Sequence, residues 1–277
     1  MTGPASASGA GTLRRRFIAP QRGDVAPACF QHPLFAGFNA YKEWMTAPDW
    51  PGIDVLNAGM SVPDRCFVAQ DALLLDDGLH YEQRIRQGRI ATRLHNWHDL
   101  FNAMIWARHP GIKLALNAQQ CRHIEQMGPV ERNRAQQALT QFDETGIIVR
   151  VRDTSLLSAW DQHDWATLFH THAAHWRDGD IAVAAVIGHA LMEQMLVPGR
   201  LLVGKCLVVQ GEDDAVCIAR VAEAIRAGDV LAAPTELRPL PLAGIPGWHQ
   251  RQDLGFYAQA DYFRPLREGR SYRPAMA

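Results

Sequence analysis

Residues 181–196 read IAVAAVIGHALMEQML, and the way this stretch folds decides the architecture. Its first seven residues are all apolar, and Ala190, Leu191, Met192, Met195 and Leu196 continue the pattern, so the stretch is predicted to form a central helix buried on nearly every side. Pro198-Gly199 stops it. Gly188 and His189 interrupt its longest apolar run, Ile181 to Met192, and no run in the chain approaches the roughly 18 residues that a bilayer span needs. A transmembrane helix is therefore not expected. His189 and Glu193 stand four residues apart, on one face of this helix. A buried carboxylate is costly unless it is paired, protonated or bound to a metal. The partner of Glu193 is then His189, Lys205, Arg93, or a metal shared with another element.

The second clear element opens at Asn96, where Trp97, Leu100, Phe101, Met104 and Ile105 repeat at helical spacing and His95, His98, Asp99 and Asn102 occupy the other face. Asn96 is its N-cap, and Asp99 at the third position can return a hydrogen bond to the cap amide. Pro110-Gly111 ends it. This helix and the 181–196 helix have complementary faces and should pack together. Further helices are expected over 113–123 and 130–144, the latter capped by Gly146. Ile147–Val151 is a strand by its β-branched content. Ser158 and Asp161 form a capping box that opens a helix to Trp176, Leu201–Val209 is a strand, and Asp213 or Asp214 caps a helix to Ala227. Upstream, Phe67–Leu75 reads as a strand, Asp76-Asp77-Gly78 as its turn, and Tyr81–Arg86 as the returning strand. Between Phe30 and Asp64 a short helix precedes irregular chain. The fold class is α+β: a helix-rich single domain over 29–277 with a few short strands and an irregular, Pro-rich C-terminal wrap. Residues 1–28 read as a mobile tail, with Arg14-Arg15-Arg16 as a solvated flank.

The whole chain has 277 residues, 47% apolar and 21% charged, the mix of an ordinary folded protein rather than a disordered or fibrous one. Lys and Arg number 28 against 29 Asp and Glu, so no excess positive field attracts phosphate backbones, and nucleic acid is not an expected partner. The five cysteines, Cys29, Cys66, Cys121, Cys206 and Cys217, are odd in number and contain no CxxC pair, which fits reduced thiols rather than a disulfide framework or a zinc knuckle. No apolar segment of signal-peptide length follows the N-terminus. A cytoplasmic protein without membrane partners is the expectation.

Several motifs fail on context. Gly199–Lys205 has the spacing GxxxxGK, but Cys206 replaces the Ser or Thr of a phosphate loop, and a helix precedes where a strand is required. The doublet His98-Asp99 is similar to the metal-binding pair of HD-type phosphohydrolases, although His163-Asp164 repeats it elsewhere. HExxH and GxSxG are absent from the sequence. His163, His170, His172 and His175 crowd one segment and read as an exposed, incidental cluster.

The strings TRLHNWHDLFNA, YEQRI, ALTQFDETG, GHALMEQML, PLPLAGIPGW and FRP, spread from residue 81 to residue 265, resemble a bacterial family, the domain-of-unknown-function 3025 family. The resemblance covers roughly Phe30 to Arg267 and carries no assigned activity, so the residues must speak for themselves. Three of its segments supply acids or imidazoles: His98 and Asp99, Asp143 and Glu144, His189 and Glu193. Asp143 and Glu144 lie near a helix C-terminus, where acids are electrostatically disfavoured, so capping does not explain them. The expectation is that His98, Asp99, His189 and Glu193 converge on one polar pocket. Joined by Asp143 and Glu144, they form an imidazole and carboxylate ligand set without thiolate, suited to Mn²⁺, Fe²⁺ or Zn²⁺. Two functional readings stay open. One is a metal-dependent hydrolase for a small anionic substrate, with His98, Asp99, His189 and Glu193 catalytic and Arg84, Arg93 and Lys113 binding the anion. The other is a non-enzymatic binding or scaffold protein whose buried histidine–carboxylate network is structural and whose Trp248 is a packed anchor or contact aromatic.

Overall fold

The computed structural model describes residues 17–128 and 130–277. In it the stretch 181–196 is two elements rather than one helix: a strand, Ile181–Val186, and a seven-residue helix, His189–Met195. An all-apolar run cannot distinguish a period of two from one of 3.6. Pairing decides it here, because the β-branched strand Gly146–Val151 lies alongside and satisfies the buried backbone of Ile181–Val186 through antiparallel hydrogen bonds.

In chain order, short 3₁₀ turns lead to α1 (Lys42–Thr46), α2 (Ile53–Ala58), β1 (Cys66–Ala69), α3 (Ala72–Leu75), α4 (Tyr81–Arg86) and β2 (Arg89–Thr92). Then come α5 (Trp97–Arg108), α6 (Pro110–Met127), α7 (Arg134–Thr145) and β3 (Gly146–Val151). The second half holds α8 (Leu157–Asp161), α9 (Ala173–Arg177), β4 (Ile181–Val186), α10 (His189–Met195), β5 (Val203–Gln210), α11 (Asp214–Ala227), β6 (Arg238–Pro241) and α12 (Leu254–Tyr257). The four-stranded sheet has the order β4-β3-β5-β6, with β3 and β5 parallel and the two outer pairs antiparallel. β1 and β2 form a separate parallel pair. One continuous hydrophobic cluster runs through both halves of the chain from Val25 to Phe263, so the fold is α+β with a single core. No described helix is long and apolar enough to cross a membrane.

Asn96 caps α5 as its position suggests, accepting from the Asp99 amide at 3.1 Å. Pro110, expected to end that helix, is instead the first residue of α6, where its missing N–H costs nothing. The expected hairpin over 67–86 does not form. Asp71 accepts from the Leu74 amide and turns the chain into α3, and His80 caps α4 with Gln83 returning a bond to the His80 amide. β1 therefore pairs with β2 rather than with residues 81–86. The helix expected from Ser158 to Trp176 is broken at His163, whose left-handed backbone (φ 54°) separates α8 from a π-turn and α9.

The tail expected over 1–28 falls outside the described residues as far as position 16, including Arg14, Arg15 and Arg16. From residue 17 onward much of the segment is exposed, but Val25 is buried and Pro20 and Arg22 tie it to the body. The Arg22 guanidinium lies 4.6 Å from the Trp50 ring and 5.1 Å from the Trp97 ring while donating to the Trp44 and Ala47 carbonyls, and Trp97 Nε1 donates to the Pro20 carbonyl.

Candidate functional site

The sheet register builds the site. β3 and β4 are antiparallel with Ile147 opposite Val186, so the residues just before β3 meet the residues just after β4. The last turn of α7, carrying Asp143 and Glu144, thus faces the first turn of α10, carrying His189. The join is tight: the amides of Ile187 and Gly188 both donate to the Gly146 carbonyl at 2.9 Å. A Cβ on Gly188 would sit 2.5 Å from Thr145 Cα, and one on Gly146 would sit 2.1 Å from the Phe142 carbonyl oxygen. Only glycine allows the two segments this approach. α5 packs across α10 and adds His98 from its first turn.

The His98 and His189 rings meet edge to face with centroids 4.3 Å apart. His98, Glu144 and His189 each offer one ligand atom, and these three atoms lie within 4.8 Å of one another. His98 Nδ1 is 3.1 Å from Glu193 Oε2, leaving Nε2 for another partner. His189 Nε2 is 3.8 Å from Glu144 Oε1. The remaining acids are occupied: Lys113 Nζ donates to Asp143 at 2.5 Å, and Asp99 accepts from the Arg93 amide at 2.6 Å and from its guanidinium at 2.7 and 3.0 Å. Asp99 therefore holds Arg93 rather than returning a bond to the cap amide.

Burial pulls the His189 imidazole down to about 3, so it is neutral and keeps a lone pair at ordinary pH. Its Nδ1 has no hydrogen-bond partner among the described residues, and its Nε2 is the ring nitrogen that faces Glu144. Burial acts the same way on His98, but the Glu193 hydrogen bond and the charges of Glu144, Glu193 and Asp99 outweigh it and raise the group. Burial raises Glu144, the carboxylate without a strong cation of its own. For Asp143 burial is outweighed by the charge and hydrogen bond of Lys113, and the carboxyl is lowered.

His98, Asp99, Asp143, Glu144 and His189 line one end of a cavity of about 330 Å³, whereas Glu193, expected in the same pocket, stands behind His98 and is not among its lining residues. The sequence reading missed its other end. Asn117 Nδ2 donates to the Glu82 carboxylate at 2.7 Å, and burial pushes Glu82 up to about 7. Asn102 Nδ2 donates to Tyr81 Oη at 3.2 Å. Among the described residues lining the cavity, three carry a buried polar atom without a formed hydrogen bond: His189 Nδ1, Asn102 Oδ1 and Trp106 Nε1. One signal was available, since Lys113, Asn117 and Gln120 repeat at helical spacing along α6 as a polar stripe in an otherwise core-facing helix. Glu82 was hidden by reading Tyr81–Arg86 as a strand. Of the proposed anion-binding residues, Arg93 and Lys113 line the cavity, whereas Arg84 is turned onto Asp77, with two contacts of 2.6 and 3.1 Å. Lys205 is not among the partners of Glu193.

Fold and site together define an α+β protein with a buried histidine–carboxylate cluster at the meeting of two helix ends and a third helix. The chain belongs to the protein family of unknown function DUF3025, whose sequence pattern matches residues 66–267 and so includes every residue of the cluster. No curated protein and no solved structure matches the chain.

Proposed function

We propose that this protein is a metal-dependent hydrolase whose cation is held by His98, Glu144 and His189. The observation that supports the reading is the approach of their three ligand atoms to within 4.8 Å at the end of a cavity large enough for a small molecule. Two imidazoles and one carboxylate suit Mn²⁺, Fe²⁺ or Zn²⁺. Glu193 against His98 Nδ1 is the outer carboxylate that commonly orients a metal-binding imidazole. Asp99, Asp143 and Glu193 act in this reading as supports rather than ligands. When bound, the cation activates a water for hydrolysis. Within the chain, Arg93 and Lys113 hold a small anionic substrate, and the unpartnered Trp106 Nε1 and Asn102 Oδ1 orient its polar groups. Arg84, which does not line the cavity, has no part in the reading.

The test is elemental analysis of protein purified without a His tag or chelator, repeated with His189→Ala and Glu144→Gln. Near-stoichiometric Mn, Fe or Zn in the wild type should fall sharply in either variant, and added metal should raise the melting temperature of the wild type alone. A metal-free wild type whose stability ignores all three ions would overturn the reading and leave a binding or scaffold protein with a structural ion network.

A further inference from the structure

The motif GRLLVGK, rejected as a phosphate loop, ends in a lysine with an unusual setting. Lys205 lies on β5, opposite Pro239 of β6, half-buried in the wall of a groove of about 610 Å³. Arg264, Arg267 and Arg270 line the same groove, and Asp261 is the only carboxylate among its described lining residues. None of the four cations forms an ion pair with a carboxylate of the described residues. Arg264 Nε and Arg270 Nη2 reach only carbonyl oxygens, of Asp261 and Leu237, each at 3.3 Å. Arg270 also lies 4.5 Å above the Tyr272 ring, and Tyr272 Oη is fixed 2.8 Å from His163 Nε2, so this wall is built rather than loose. Burial lowers the Lys205 ammonium, and the nearby Arg270 and Arg267 charges lower it further.

Holding a half-buried lysine among like charges is unfavourable unless an anion offsets it. We infer that this groove is a second ligand site, distinct from the histidine–carboxylate cavity, that takes a compact multivalent oxyanion of the phosphate class. Four cations against one carboxylate leave three positive charges, more than a monocarboxylate neutralises. The guanidinium forks suit the paired oxygens of a phosphate. Concave walls concentrate that field. The inference does not depend on the metal reading, since none of the groove's residues belongs to the cluster around His189.

Inorganic pyrophosphate is the probe, titrated calorimetrically into the full chain at constant ionic strength, with chloride as the control. Saturable one-to-one binding is expected, weakened about tenfold or more by Lys205→Met and by Arg267→Ala, each of which removes one charge-assisted contact. His189→Ala should leave it unchanged. The melting temperature of ligand-free Lys205→Met should be no lower than that of the wild type, because a repelled charge has been removed. Arg267 is exposed, so its variant tests the site even where Lys205→Met disturbs folding. Absence of saturable binding, binding that survives the Arg267 variant, or loss of binding in His189→Ala would each overturn the assignment. So would sedimentation with phosphatidylserine vesicles combined with indifference to pyrophosphate.

Discussion

Replacing Gly188 by alanine tests whether the β3–β4 join sets the cluster geometry. The added Cβ would lie 2.5 Å from Thr145 Cα, 2.7 Å from its carbonyl carbon and 2.8 Å from the Glu144 carbonyl oxygen, all backbone atoms that no rotamer change can move away. Ordinary Cβ contacts begin at 3.4 Å, so the closest contact must open by 3.4 − 2.5 = 0.9 Å. The backbone at Gly188 (φ −73°, ψ 95°) is not left-handed, so the penalty is overpacking rather than torsional strain. Forced separation of this kind costs about 1–3 kcal/mol. It also moves Glu144 away from His189 by several times the ~0.2 Å that metal coordination tolerates, which should lower metal affinity by about tenfold or more. Urea unfolding at unchanged m-value reads the first effect, and calorimetric titration with Zn²⁺ or Mn²⁺ reads the second. Gly37→Ala is the control, since its Cβ meets nothing within 4 Å. A Gly188→Ala protein as stable as the wild type would refute the steric argument. A destabilised variant with undiminished metal affinity would refute the link between this join and the ligand set.

Two further outcomes follow from buried charge. Lys113 is 5% exposed at its side chain, so Lys113→Met strands Asp143 and should cost about 3 kcal/mol, whereas the double variant Lys113→Met/Asp143→Asn should recover much of it; additive losses in urea unfolding would show that the pair is not coupled. His109, at the α5–α6 junction, is held near 4 by burial, below its ordinary 6.5. Below pH 6.5 the unfolded chain takes up a proton that the folded one refuses, so this group's share of stability is complete above pH 6.5 and is lost as pH falls toward 4. That share amounts to about 3 kcal/mol at 1.36 kcal/mol per pH unit. His109→Asn should flatten the stability profile across that window, and an unchanged slope would contradict the assignment.

Elements with a cap and a stripe were legible locally. Asn96 with Trp97, Leu100, Phe101 and Met104 marks α5, and Asp213 marks α11 by accepting from the Val216 amide at 2.8 Å. The β-branched run at 147–151 marks β3 for the same reason: the signal sits in the residues themselves. The failures fall where a local pattern fits two structures. Tyr81–Arg86 is too short for periodicity to decide, and the His80 cap settles it as helix. Within Ser158–Trp176 the expected capping box does not form, because Ser158 lies inside α8, and one left-handed residue, His163, divides the segment.

The cluster shows how a site reading can outlive an error in secondary structure. His189 and Glu193 are four apart on a helix whether it starts at Ile181 or at His189, so the demand that a buried carboxylate find a partner carried over intact. The identity of the partners did not carry over. Glu193 meets His98, 95 residues away, instead of its helical neighbour His189. His189 meets Glu144 because Ile147 stands opposite Val186, a register fixed by the whole sheet. A spacing rule can place two groups on one face, but the face across from them is chosen by topology. Here the choice gives Asp99 and Asp143 to strong cations and leaves Glu144, with a neutral imidazole beside it and His98 in reach, as the carboxylate with no fixed positive partner. That asymmetry among neighbouring acids makes Glu144, rather than Glu193, the residue whose substitution should decide between a metal site and an ion network.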